Sequence, residues 1–278
     1  MSVNTTSIET IVVDSVSLIP SVLDDLLDLP STPPSLYIDL EGVDLGRHGS
    51  ISILSIYAVP RQKVYLVDIY QLGKETFSTL NSSGKSLKYI LESPTDLKGI
   101  FDVRNDSDAM YSHYGISLDG IRDIQLMELG TRKSSKEFIS GLAKCIERES
   151  PITGAEKASW QRTKESVRRL YDPKLGGRYE VFNERPLKPE IMKYCAQDVT
   201  LLPGLYLKYH AKLSSPGEGF WESEVLIATK KRIELSQSSK YNGHSRENAR
   251  GPWRRDYIED ARNEWNDEIM SAALHDML

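Results

Sequence analysis

Three β-rich runs separated by nine and then four residues constrain this chain most: Leu36 to Glu41, Ile51 to Val59 and Val64 to Asp68. A turn as short as Pro60-Arg61-Gln62 cannot carry a crossover, so the runs are expected to pair antiparallel as a meander. The pattern then changes. A helical stretch at Ser86 to Glu92, a strand at Leu97 to Val103, a helix at Asp106 to Tyr114 closed by Gly115, and a short strand at Ile121 to Ile124 follow in turn. Strands separated by helices imply parallel crossovers. The expected class is α/β: a mixed sheet of three antiparallel strands, then parallel ones, flanked by helices.

Around this core the chain divides into three parts. Residues 1–30 read as an N-terminal extension packing on the core, with a β-rich run at Ile11-Val12-Val13 and an amphipathic helix from Ser21 to Leu29. Residues 31–213 form the main domain, with a helical, charged insert near 130–185. Its helices are expected at Lys136 to Arg148, Lys157 to Leu170 and Pro189 to Tyr209, the last with proline in its first turn. Residues 214–278 hold a further helix, then a polar stretch at 236–252 that reads as a flexible linker. A final amphipathic helix carries Ile258, Ala261, Trp265, Ile269, Ala272 and Met277 at helical spacing. It is expected to dock on the body, with a protein partner as the alternative.

A net charge of −5 gives no bulk basic signature, so contact with nucleic acid would rest on local patches. Cys145 and Cys195 are distant in sequence, which suits a reducing compartment and disfavours a cysteine zinc site. The N-terminus resembles neither a secretory nor a transit signal, and the longest apolar run is too short to span a bilayer. The expectation is a cytoplasmic or nuclear protein without membrane attachment.

The first β-rich run ends Tyr37-Ile38-Asp39-Leu40-Glu41-Gly42. Strand alternation puts Asp39 and Glu41 on one face and Leu40 on the other. Two adjacent carboxylates call for a shared proton, a basic partner or a cation, and oxygen-only ligands suit Mg²⁺ or Mn²⁺. Asp108 sits near the carboxyl end of a strand, where open α/β sheets place their sites. Tyr194 and Asp198 are four apart on one helix and share a face.

Asp39 and Glu41, then Asp108, then Tyr194 and Asp198 resemble the three ordered motifs of the DEDD 3′–5′ exonucleases, in the tyrosine-bearing subgroup of ribonuclease D and the Werner-type exonuclease domain. Gly49 to Ile56, Asp123-Ile124-Gln125, Gly141-Leu142-Ala143 and Arg185-Pro186-Leu187 stand where that family has its intervening elements. The resemblance covers about residues 30–212. It departs from the pattern at Arg104-Asn105-Asp106-Ser107, where a second acid precedes Asp108.

The resemblance implies a ribonuclease H-like fold and a two-metal hydrolysis of phosphodiester bonds from the 3′ end of single-stranded RNA or DNA, RNA preferred, releasing nucleoside 5′-monophosphates. Asp39, Glu41, Asp108 and Asp198 would bind two divalent cations, Mg²⁺ or Mn²⁺, and Tyr194 would orient the attacking water. For the substrate, Leu40 and Val43 are candidates to pack on the last nucleotide, and Gly42 to allow its close approach. Tyr111 and Tyr114 are candidates to stack on bases, and Arg104, Lys174, Arg178 and Arg185 to meet phosphates. Some relatives are non-catalytic RNA adaptors. The presence of all four acids and the tyrosine argues for catalysis here.

Overall fold

The computed structural model describes residues 8–275. Its strands are β1 (Glu9–Val13), β2 (Leu36–Val43), β3 (Ser50–Ala58), β4 (Lys63–Val67), β5 (Lys98–Ile100) and β6 (Ile121–Asp123). They form a six-stranded sheet in the order β1-β4-β3-β2-β5-β6. β2, β3 and β4 pair antiparallel, whereas β5 joins β2 and β6 joins β5 in parallel. This is the mixed sheet that the strand spacing predicts. β1 adds in parallel to β4, so the N-terminal segment extends the sheet edge, and α1, which follows it, packs on the core.

The helices are α1 (Ile19–Leu26), the short α2 (Ile69–Leu72), α3 (Glu75–Ser78) and α4 (Leu87–Glu92), and then α5 (Val103–Tyr114) and α6 (Ile124–Thr131). They are followed by α7 (Leu142–Glu149), α8 (Gly154–Tyr171), α9 (Pro189–Thr200), α10 (Leu202–Leu213), α11 (Gly219–Gln237) and α12 (Arg255–His275). None is long and apolar enough to cross a membrane among the described residues.

The two sheet faces bury different partners, as strand alternation requires. Ile38, Leu40, Leu54 and Ile56 pack with Leu23 of α1 and Val103, Ala109 and Met110 of α5. Tyr37, Ile53 and Leu66 pack with Ile191, Tyr194 and Cys195 of α9, with Leu205 and Tyr209 of α10, and with Trp160 of α8. Asp39 and Glu41 follow Tyr37 at period two, so they face α9.

Four local expectations are corrected. The helix expected over Lys136 to Arg148 begins only at Leu142. Lys136 instead donates to the carbonyls of Leu129 and Gly130 at 2.9 Å, which holds its segment against the end of α6. The helix expected over Pro189 to Tyr209 divides at Leu201, because Pro203 has no N–H to continue the ladder. α5 begins at Val103, three residues before the expected start. The supposed flexible linker is docked. Tyr241 and Trp253 are buried, Trp253 Nε1 donates to Glu224 at 2.9 Å, and Tyr241 reaches Asn105 at 2.5 Å. Further on, Tyr257, Ile258, Ala261 and Trp265 of α12 lie against the core. Met277 lies outside the described residues.

Candidate active site

Asp39 and Glu41 come from β2, in the interior of the sheet, and Tyr194 and Asp198 from α9, packed on the same face. Carboxylate oxygens of Asp39, Glu41 and Asp198 lie within 4.8 Å of one another. Among the described residues none of the three forms a salt bridge, and Asp198 Oδ1 is buried with no hydrogen-bond partner. Burial and then the Asp198 charge push Asp39 up to about 8. Burial, with the charges of Asp39 and Asp198, raises Glu41 well above the ordinary carboxylate range. Burial also raises Asp198, while Lys164, Tyr194 and Trp160 pull it back down. Burial and the neighbouring acids raise the Tyr194 phenol far above its usual range, which makes it a poor base and a competent hydrogen-bond donor.

Clustered acids with raised proton affinity and an orphaned carboxylate oxygen mark a place built for something the protein alone does not supply. Hard oxygen donors converging from separate elements fit a divalent cation such as Mg²⁺ or Mn²⁺.

The second motif is arranged differently from the sequence expectation. Asp108 is buried, but its carboxylate accepts from Arg47 Nε and from the Arg47 backbone N–H, each at 2.8 Å. It thus serves the loop after β2 and is not one of the converging acids. Asp106 takes the position near them. Burial, followed by the charges of Asp39, Asp102 and Asp123, raises its proton affinity well above normal, and its own charge is felt at Glu41. Two residues along a helix is about 200° of rotation, so Asp106 and Asp108 face nearly opposite ways. With the helix starting at Val103, Asp106 is the acid in its first turn.

Several substrate-contact candidates are engaged elsewhere. Leu40 is buried on the opposite sheet face. Gly42 sits at a bulge, where a Cβ would lie 2.0 Å from the Ser50 carbonyl oxygen, so its close approach is to β3. Val43 is half-buried and pairs with Ser50 at the strand end. Arg104 pairs with Asp102 at 2.6 Å and donates to the Asn248 carbonyl. Arg185 forks onto Asp68, which is fully buried, and donates to the Phe182 and Glu184 carbonyls. Those contacts occupy both guanidinium groups. Arg178 bonds Glu184 at 2.9 Å, and Tyr114 packs against Phe77. Tyr111 is exposed on α5 and Lys174 is exposed beyond α8.

Residues of the charged insert, unremarked in the sequence, reach the site. Trp160 is buried beside α9, and the Tyr171 ring lies 6.1 Å from that of Tyr194. The charge of Lys164 registers at both Asp39 and Asp198. The available signal was spacing: 160, 164 and 171 fall on one helical face.

Comparison with known proteins places the chain in a family. A 3′–5′ exonuclease family model matches residues 16–214. The chain is 29% identical over 177 residues to the mouse piRNA biogenesis protein EXD1 and 31% identical over 175 residues to the human one. The matches take in 62% of this chain and only 28% and 31% of those proteins. Among solved structures, Trypanosoma brucei ribonuclease D, determined with GMP, superposes with a TM-score of 0.69 at 19% identity, over 91% of this chain and 72% of that one. Escherichia coli ribonuclease D gives 0.58 at 17%, over 83% and 51%. The chain belongs to the 3′–5′ exonuclease family and has the fold of ribonuclease D.

Proposed function

We propose that this chain is a divalent-cation-dependent 3′–5′ exonuclease of the tyrosine-bearing subgroup. It removes nucleoside 5′-monophosphates from single-stranded ends, RNA in preference to DNA. The observation that carries the reading is the convergence of Asp39, Glu41 and Asp198, from elements more than 150 residues apart, into one unpaired acidic cluster. The preference for RNA rests on similarity to ribonuclease D, one structure of which, from Trypanosoma brucei, contains RNA.

In this reading Asp39, Glu41 and Asp198 hold the cations, and Asp106 completes the set in place of Asp108. Bound cations supply charge for the scissile phosphate and lower the pKa of bound water. The chain's own groups do the positioning. Tyr194, with its phenol held protonated beside Glu41 and Asp198, orients the nucleophilic water as a donor rather than abstracting its proton. α9 packed on β2 fixes the acids relative to one another without loop motion.

The test incubates the protein with end-labelled single-stranded RNA and DNA in Mg²⁺, Mn²⁺ or EDTA, beside Asp39→Ala Glu41→Ala. A metal-dependent ladder from the 3′ end is expected. The double variant should lose several kcal/mol of transition-state stabilisation, about 10³-fold or more in rate. Tight binding without shortening under every metal condition would instead identify an RNA-binding adaptor.

A further inference from the structure

Divalent cations held by the clustered carboxylates are largely neutralised by them, so a protein cation nearby would add to the attraction for a substrate phosphate. Most nearby arginines are already committed. Arg47 is paired with Asp108, Arg104 with Asp102, Arg185 with Asp68 and Arg232 with Asp123. Lys164 differs. It is half-buried, and it forms no ion pair or hydrogen bond among the described residues. Its Nζ is held 5.2 Å from the centre of the Trp160 ring. Its charge is the one cationic influence on Asp39 and acts on Asp198 as well.

The placement follows from the helix. Thr153 and Glu156 form a reciprocal cap that starts α8. Trp160, Thr163 and Val167 are buried, and Tyr171 lies against Tyr194. Lys164 is one turn after Trp160, so the packing that seats the indole against the core also aims the ammonium at the site. The buried Trp160 indole N–H is directed at Asp198 and helps to lower that carboxyl's proton affinity. An unpaired ammonium and the Trp160 indole therefore flank the acidic cluster, both from a helix that supplies none of the motif acids.

We propose that Lys164 is a phosphate-binding residue for the terminal nucleotide, with Trp160 positioning it. This rests on the exonuclease reading for its context. In it, α8 is a functional wall of the site rather than a structural insert, and the ammonium meets a non-bridging phosphate oxygen while Asp39 and Asp198 keep their role as cation ligands.

The test titrates uridine 5′-monophosphate and uridine into the full chain in Mg²⁺, for the unmodified protein, Lys164→Met and Lys164→Arg. Loss of a charge-assisted bond should weaken the monophosphate in Lys164→Met by about tenfold or more. Uridine should bind unchanged, and Lys164→Arg should recover most of the loss. Equal monophosphate affinity in Lys164→Met and the unmodified protein overturns the proposal. So does an equal loss for uridine and its monophosphate, or an unmodified protein that binds neither. Lys164-dependent monophosphate binding without any RNA or DNA shortening would sustain the phosphate site and remove the exonuclease reading.

Discussion

Two acidic groups lie at the same end of the sheet and are treated in opposite ways. Asp102 and Asp123, beyond β5 and at the end of β6, are enclosed by arginines. Arg232 of α11 reaches Asp123 at 2.7 Å and Asp102 at 3.5 Å, and Arg104 reaches Asp102 at 2.6 Å. Backbone N–H groups of Asp102 and Val103 also donate to Asp123. Burial works against Asp102, yet the Arg104 hydrogen bond and the Arg232 charge hold its carboxyl below the ordinary range. Asp39, Glu41 and Asp198 have no such partners, and their proton affinities rise. The compensated group is scaffold: it ties α11 to the start of α5. The uncompensated group keeps a cost that the fold could have removed, which is the mark of a site awaiting a ligand.

The largest expected effect separates scaffold from site. Arg232→Met leaves Asp123 buried without its guanidinium. Breaking a buried pair in this way should cost about 3–5 kcal/mol in denaturant unfolding. Adding Asp123→Asn should return part of that loss, since the unpaired charge is then gone. If Arg232→Met is as stable as the unmodified chain, the network does not carry the compensation assigned to it.

The second effect sharpens the boundary between the groups at α5. Asp106→Asn should reduce turnover by about 10²-fold, with stability in the absence of metal unchanged or raised, because a repelling charge is removed. Asp108→Asn should instead cost about 1–3 kcal/mol of stability through Arg47 and spare most of the activity. Turnover and unfolding measured on both variants check the assignment. The opposite pattern would return Asp108 to the site.

How much of this was legible in sequence depends on how local the determining physics is. The meander followed from turn length, and the shared face of Asp39 and Glu41 from strand alternation. The Tyr194–Asp198 pair followed from helical spacing. The choice between Asp106 and Asp108 turned on where α5 begins, and a three-residue shift there changes which acid faces β2. The roles of Arg104 and Arg185 were not legible, because Asp102 and Asp68 claim them through the fold. The stretch 236–252 looked like linker by composition, but one tyrosine and a following tryptophan suffice to anchor it. Lys164 was hidden because a charged helix announces a solvated face, and only packing shows which of its charges turns inward.

The smallest effect tests the uncompensated group without mutation. Burial and the Asp198 charge raise Asp39 from 3.8 to about 8, so the folded state holds a proton that the unfolded chain releases. Stability of the metal-free protein should therefore fall as pH rises from about 4 to about 8. Solvent access to the half-buried carboxylates reduces the expected loss to about 1–2 kcal/mol. Glu41, Asp106 and Asp198 are raised too and add to the same decline, whereas the remaining shifted groups named here act outside this window. Asp25, Asp68 and Asp102 are depressed and lose their contribution only in more acid solution. Lys98 and Lys136, lowered to about 8, add stability only above that pH. Mg²⁺ favours the ionised carboxylates and should flatten the decline, most visibly near pH 8, whereas Arg232 and its acids should be indifferent to it. Thermal unfolding in EDTA and in Mg²⁺ across pH 5–8 makes the comparison. A flat metal-free profile, or one that Mg²⁺ leaves unaltered, would show that the three acids relieve their repulsion without a cation.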